Sequence, residues 1–335
     1  MKIKAYAIFH KGGEARPFFY EKKLGRDDVL VKITHCGIPR GDIHFIDNDW
    51  GDTRYPLVTG QEAVGVVEKV GANVVDLKVG DRVGLGYQQD ACFKCQFCKH
   101  GQEQFCLDQK VAEIHCEGYL ADHAIVDGRF VFKLPKGLNA ARSTPLFTSG
   151  LTVYTAIVQS NLERDAEVAV LGVGGLGHLA IQFLRAMDHK VWAFSHTPKK
   201  KLLIKELGAR YVDSLNPKNS LIFKRKFDFI LSTLNVDFDL NTYLSMLKPQ
   251  GKICLVGLPL TPLSFKVDLL ADYAQRTICG NYIGSRQDMK DMLAFATKHQ
   301  IQAKVKVMPF SRMNQAIKLV RNKEIPVRLV LENRT

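Results

Sequence analysis

The sequence predicts an α/β protein of two domains, one β-rich and barrel-like, the other a doubly wound parallel sheet covered by helices on both faces. Three observations carry this. Residues 1–140 hold short runs dense in β-branched residues, punctuated by Gly and Asp. Near residue 150 the rhythm changes to apolar strands alternating with helical segments. A glycine loop, Gly172-Val173-Gly174-Gly175-Leu176-Gly177, stands between a strand and a helix. A length of 335 residues suits two domains at about 150 residues each.

In the first part, Asp28-Val29-Leu30-Val31-Lys32-Ile33 and Ala63-Val64-Gly65-Val66-Val67 read as strands, and Val79-Gly80-Asp81 and Asp127-Gly128 as turns. In the second, Val168-Ala169-Val170-Leu171 is a short apolar strand. The stripe Leu176, Leu179, Ala180, Phe183, Leu184 and Met187 then recurs every three or four residues, as one face of a helix does. Val191-Trp192-Ala193-Phe194, Phe227-Asp228-Phe229-Ile230-Leu231 and Lys252-Ile253-Cys254-Leu255-Val256 read as further strands. An amphipathic helix over 286–299 and a last strand over 327–331 are expected to return to the first domain and make it discontinuous. The expected boundaries are 1–148, 149–283 and 284–335, with no internal repeat or low-complexity segment.

Hydrophobic residues at 46% and charged residues at 24% exclude a disordered chain. No apolar run approaches the roughly 20 residues of a membrane helix. The opening MKIKAYAIFHKGGEARPFF lacks the apolar stretch and cleavage site of a secretory signal, so a cytoplasmic location is expected. The net charge of +13 is spread along the chain, and its densest runs are Lys199-Lys200-Lys201 and Lys224-Arg225-Lys226. Both are too short for a nucleic-acid arm; 224–226 reads as a solvated surface, and no nucleic-acid or membrane partner is expected.

The loop 172–177 has the glycines that a dinucleotide needs: one for a tight turn, one for close backbone approach to a pyrophosphate, one for helix–strand packing. The following helix presents N–H groups and partial positive charge to the phosphates. An acid ending the next strand would bind a ribose 2′-hydroxyl and repel a 2′-phosphate. Here Phe194 is followed by Ser195-His196-Thr197-Pro198-Lys199-Lys200-Lys201, with no acid, two hydroxyls and three lysines. That set favours NADP(H) over NAD(H).

Eight cysteines stand at 36, 92, 95, 98, 106, 116, 254 and 279. Cys92, Cys95, Cys98 and Cys106 can close a tetrahedron of thiolates around Zn²⁺, leaving no position for substrate, so the zinc would be structural. An iron–sulfur motif would place the fourth cysteine after three residues and before proline; here seven intervene and Leu107 follows. The remaining four read as small buried hydrophobes.

These motifs, with Leu255-Val256-Gly257-Leu258-Pro259 and the ending Val327-Arg328-Leu329-Val330, make nearly the whole chain resemble a medium-chain dehydrogenase/reductase. The resemblance is to the zinc-containing alcohol dehydrogenase group, in its cinnamyl-alcohol-dehydrogenase-like, NADP-preferring branch. It implies a GroES-like catalytic domain with a structural zinc lobe over about 91–107, a Rossmann domain, and a homodimer joined through the last Rossmann strand, about 278–284. It implies cofactor contacts at Arg40, Gly172, Gly174, Gly175, Leu176, Gly177, Ser195, His196, Thr197, Lys200, Val256, Gly257, Asn281 and Arg328. His44 matches an outer proton-relay histidine and is the candidate catalytic residue, with a solvated loop histidine as the alternative. Tyr282 and Ile283 match pocket-lining positions, and Trp50 is placed either there or in lid or core packing.

The family also has a catalytic zinc, and here the chain departs from the pattern. Where the family has Cys-Gly-x-Cys-His/Arg-Ser/Thr-Asp, this chain has Cys36-Gly37-Ile38-Pro39-Arg40-Gly41-Asp42. The ligand cysteine is Pro39 and the relay hydroxyl is Gly41. Gly-His-Glu is Gly60-Gln61-Glu62, and the third ligand, a cysteine, falls at Thr148. No catalytic zinc is therefore expected. The expected activity is NADP(H)-dependent hydride transfer to or from a carbonyl-type substrate, favouring reduction, with conjugate reduction of an α,β-unsaturated carbonyl as natural chemistry. Two alternatives stay open: an ordinary alcohol dehydrogenase or aldehyde reductase with a metal site rebuilt from Cys36, Asp42, His44 or Glu62, and a catalytically weak NADPH-binding sensor or partner protein.

Overall fold

The computed structural model describes residues 1–325 and 327–333. The chain divides into two compact units, Met1–Leu151 with the segment from Gly284 onward, and Thr152–Ile283.

The first unit is built on one long strand, Asp28–Ile38. Val29, Val31 and Ile33 are wholly buried on one side of its alternation, and bulges at Leu30/Val31 and Ile33/His35 bend it. Ala63–Val70 and His123–Asp127 both pair antiparallel with it. The last strand, Arg328–Glu332, also lies antiparallel to it, with Cys36 opposite Leu331. The end of the chain is thus sewn into the sheet begun by residue 28. The seven-stranded sheet is completed by Arg82–Leu85, Val131–Lys133 and Val305–Pro309. The helix expected over 286–299 runs Arg286–Lys298 and is started by a capping box between Ser285 and Asp288.

The cysteine lobe leaves this unit between two short antiparallel strands, Gln88–Asp90 and Lys110–Val111. It is fastened by Arg286, whose Nε donates to Glu103 Oε1 at 2.8 Å. The Glu103 side chain is 1% exposed. The guanidiniums of Arg129 and Arg286 lie 3.4 Å and 5.1 Å from the centroid of the Phe93 ring.

The second unit is a six-stranded, wholly parallel sheet. Its order is Arg210–Asp213, Lys190–Ser195, Glu167–Leu171, Phe227–Ser232, Leu247–Leu255, Thr277–Gly280. In chain order that is 3-2-1-4-5-6, the doubly wound arrangement, whose direction reverses beside Glu167–Leu171. Val168, Ala169, Val170 and Leu171 are wholly buried, as are Leu179, Ala180, Phe183 and Leu184 of the helix Gly177–Ala186. Leu176 and Met187, counted in the apolar stripe, lie at the helix caps and are half-buried. Lys226, expected to be solvated, instead pairs with Glu167 at 3.2 Å and lies over the Trp192 ring. Among the described residues no helix is long and apolar enough to cross a membrane.

Breaking the lobe's anchor should show in stability. Arg286→Ala leaves a buried carboxylate unpaired and is expected to cost about 3 kcal/mol in denaturant unfolding. A change within about 0.5 kcal/mol would mean that Glu103 is met by water and the pair is not an anchor.

Candidate active site and metal centre

The dinucleotide loop is assembled from the ends of neighbouring strands. Gly172 takes φ +83°, a conformation that side chains resist. A Cβ on Gly177 would lie 1.9 Å from the Gly172 carbonyl oxygen, so strand and helix meet there only as glycine. Gly174, by contrast, faces open space: nothing lies within 4 Å of a Cβ placed on it. That is the bare backbone a pyrophosphate can approach. Thr233 Oγ1 donates to the carbonyls of Leu171 and Gly172, each at 3.0 Å. Gly257 packs so closely on the Leu234 carbonyl that a Cβ would stand 2.1 Å from it.

At the end of Lys190–Ser195, Ser195 is buried and its Oγ accepts from the Thr197 N–H at 3.2 Å. Lys200 Nζ donates to the Val173 carbonyl at 2.8 Å, which ties the lysine to the glycine loop. Burial holds the Lys200 ammonium below the usual lysine range. His196 is exposed beside them. Asn281 Nδ2 donates to the Thr152 carbonyl, and Val256 is buried.

Arg40 and Arg328 are held by protein groups. Arg40 Nη1 donates to the carbonyls of Val320 and Arg321, at the end of the helix Met313–Arg321. Arg328 is 5% exposed, bonds Ser149 Oγ, and sets its Nε 3.5 Å from Glu62 Oε1. The antiparallel register that sets Leu329 opposite Ile38 carries the neighbouring Arg328, whose guanidinium meets the buried Glu62 carboxylate. His44 lies on the helix Arg40–Ile46, with Nδ1 2.6 Å from Asp49 Oδ2 and its ring against Trp50. Trp50 also packs edge-on to Phe45. Tyr282 is exposed and Ile283 is buried.

The sulfurs of Cys92, Cys95, Cys98 and Cys106 all lie within 4.8 Å of one another. Cys92 Sγ accepts from the Cys95 N–H and Cys95 Sγ from the Cys98 N–H, at 3.4 Å and 3.5 Å. N–H groups of Lys94 and Cys95 hold the Cys92 thiol down to about 6, while burial pushes Cys98 up to about 12. A divalent cation supplies the charge that four such thiolates need, and the donor set suits zinc.

Two of the positions expected to have lost a metal, Gln61 and Thr148, come together, and hydrogen bonds among side chains and backbone engage them. Gln61 Nε2 donates to Glu113 Oε2 at 2.6 Å. Glu113 Oε1 accepts from Thr59 Oγ1 and from the Gly60 N–H. Thr148 Oγ1 donates to the Gln61 carbonyl at 2.8 Å. Pro39 caps the helix and offers no donor atom. A metal held by Pro39, Gln61 and Thr148 does not fit this donor set. Among the described residues, the four lobe cysteines are the only group of three or more His, Cys, Asp or Glu with convergent ligand atoms, so Cys36, Asp42, His44 and Glu62 make no such group.

Glu113 is the residue that sequence reasoning missed. It is a single acid in the apolar stretch Val111-Ala112-Glu113-Ile114, at φ +71°, and nothing local announces its partners. Burial pushes it up to about 7 from an ordinary 4.5, against the pull of Thr59, Gly60 and Gln61. Burial likewise raises Asp42, aided by the charges of Glu113 and Glu62.

Two outcomes follow. A group whose folded pKa is raised stabilises the fold below its unfolded pKa and loses that contribution as pH rises through the folded one. Stability should therefore decline from about pH 4.5 to 7, by on the order of 3 kcal/mol for Glu113. Glu113→Gln should flatten that decline in urea titrations; an unchanged slope would remove Glu113 as its source. For the lobe, Cys95→Ser or a zinc chelator should lower the melting temperature, and metal-free protein melting with the untreated form would refute a structural metal.

Comparison with known proteins agrees with this architecture. Residues 25–136 match the alcohol dehydrogenase GroES-like domain model, and 175–298 the zinc-binding dehydrogenase model. The chain is 38% identical over 333 residues to the aldehyde reductase AdhA of Synechocystis sp., covering 99% of each. It is 35% identical to a probable cinnamyl alcohol dehydrogenase 3 of Oryza sativa subsp. japonica, covering 96% of this chain and 90% of that one. Among solved structures it is similar to a cinnamyl alcohol dehydrogenase from Sorghum bicolor (TM-score 0.95, 31% identity, 99% and 98% of the chains). It is also similar to that of Helicobacter pylori complexed with NADP(H) (TM-score 0.92, 28% identity, 99% and 98%). The chain is a member of the zinc-containing alcohol dehydrogenase family of medium-chain dehydrogenases/reductases, in its cinnamyl-alcohol-dehydrogenase-like branch, and an oxidoreductase.

Proposed function

We propose that the protein is an NADP(H)-dependent reductase of aldehydes or α,β-unsaturated carbonyls that works without a catalytic zinc and carries one structural zinc per chain. The observation that carries the cofactor reading is the end of Lys190–Ser195, where Ser195, Thr197 and Lys200 stand and no acid does. Lys200 is tied to the glycine loop through Val173, so its charge belongs to the same site as the loop. The similar Helicobacter pylori enzyme was solved with NADP(H), and the Synechocystis relative is named an aldehyde reductase.

When bound, NADP(H) supplies or accepts a hydride. Gly172, Gly174, Gly175, Leu176 and Gly177 would hold its pyrophosphate, and Ser195, His196, Thr197 and Lys200 its 2′-phosphate. Val256, Gly257 and Asn281 would line the remainder. Cys92, Cys95, Cys98 and Cys106 would hold the zinc and stiffen the lobe. His44, oriented by Asp49, is the candidate proton carrier. Without a Lewis acid to lower the pKa of an alcohol, oxidation near neutral pH is slow and reduction is the favoured direction. The reading includes a homodimer joined through Thr277–Gly280, the edge strand of the parallel sheet.

The test is a titration with both nucleotides beside an elemental count. NADPH should bind at least about tenfold tighter than NADH, a difference of about 1.4 kcal/mol. Lys200→Glu should weaken NADPH by a similar factor and leave NADH nearly unchanged, since it sets a like charge against the 2′-phosphate. Zinc should count one per chain. Equal affinities, or two zincs with alcohol oxidation abolished by a chelator that spares the lobe, would reject the proposal.

A further inference from the structure

The region of the replaced ligands holds an amide in a fixed orientation. Glu113 is pinned on Oε1 by Thr59 and Gly60 and takes Gln61 Nε2 on Oε2 at 2.6 Å. Glu113 Oε2 is the acceptor in this bond, so the nitrogen end of the Gln61 amide is the end turned to Glu113. The Thr148 hydroxyl fixes the Gln61 backbone from the other side. An amide nitrogen carries two N–H donors, and Glu113 occupies one. Among the described residues Nε2 has no second acceptor.

Gly41 shows that this arrangement is built jointly. A Cβ on Gly41 would stand 2.9 Å from Gln61 Nε2 and 3.5 Å from Oε1. The amide therefore occupies room that any side chain at 41 would take. Gly41 lies in the helix Arg40–Ile46 at an ordinary φ, so helix geometry does not require glycine there. What requires it is the position of the Gln61 amide.

We propose that Gln61 is the electrophilic group of the reductase, its second Nε2–H donating to the carbonyl oxygen of the substrate, with Glu113 and Gly41 as positioning residues. This rests on the reductase reading above. The carbonyl carbon accepts the hydride that NADPH gives up, and the C=O π pair moves to the oxygen. The Gln61 N–H meets the developing negative charge and keeps its own proton. The oxygen takes a proton from water, and His44 as the proton carrier replaces that proton, leaving alcohol and NADP⁺. A neutral donor held in place before reaction needs no reorganisation as the charge forms.

Two variants separate this role from folding. Gln61→Leu removes the donor at similar volume. Gly41→Ala leaves the donor in the chain but pushes the amide aside, and circular dichroism at the assay temperature checks that both variants are folded. Each is measured for NADPH-driven reduction of cinnamaldehyde and for affinity toward an unreactive carbonyl analogue, N-cyclohexylformamide, with NADPH present. Gln61→Leu is expected to lower kcat about 100-fold, as loss of one oxyanion donor does, with a smaller change in KM. Gly41→Ala should lower kcat about tenfold or more, and both variants should bind the formamide several-fold more weakly. Variants that reduce the aldehyde and bind the formamide as well as the parent would overturn this inference alone. A parent that neither reduces the aldehyde nor binds the formamide would overturn it together with the reductase reading.

Discussion

A carboxylate removed from water must be met by donors or by a cation, and the packing around Glu113 answers that requirement. Thr59, Gly60 and Gln61 come from one stretch of chain and all donate to it. Gln61 can reach because Gly41 leaves room, and its backbone is held by Thr148. Each residue in this chain of contacts constrains the next. A histidine at 61, a side chain at 41 or a cysteine at 148 would undo one link. Three of the four departures from the family's pattern, at 41, 61 and 148, are therefore linked in one network of polar packing.

The neighbouring charges obey the same rule by another route. Glu62 is wholly buried beside Arg328, which also bonds Ser149. That guanidinium arrives on the last strand of the chain, paired antiparallel with Asp28–Ile38. The return of that strand thus joins Val305–Pro309 to the sheet and sets a cation on an acid in a single step. Asp42 is buried as well, and with Glu62 and Glu113 nearby its proton is held more tightly than in water. A cluster of this kind stores a pH dependence in the core of the unit.

The other two centres rest on backbone geometry. In the parallel sheet, Gly172 and Gly177 let strand and helix meet at a distance that a Cβ would forbid, and Gly174 is left bare toward solvent. In the cysteine lobe, backbone N–H groups point at the Cys92 and Cys95 sulfurs. The lobe is then fixed to the helix Arg286–Lys298 by a buried ion pair.

By itself the sequence determined whatever depends on residues near one another in the chain. The change from β-branched runs to strand–helix alternation, the glycine loop and the cysteine spacing are local patterns, because secondary-structure period and knuckle geometry are local. The absence of an acid after Phe194 was legible for the same reason. Loss of the ligand types at 39, 61 and 148 was visible too, but not what replaced them. Gln61 and Glu113 are 52 residues apart, and Arg40 reaches a carbonyl 280 residues away. Only the tertiary structure decided those partners. A buried polar group binds whichever donor or acceptor the fold brings within 3 Å, and no periodicity encodes that choice.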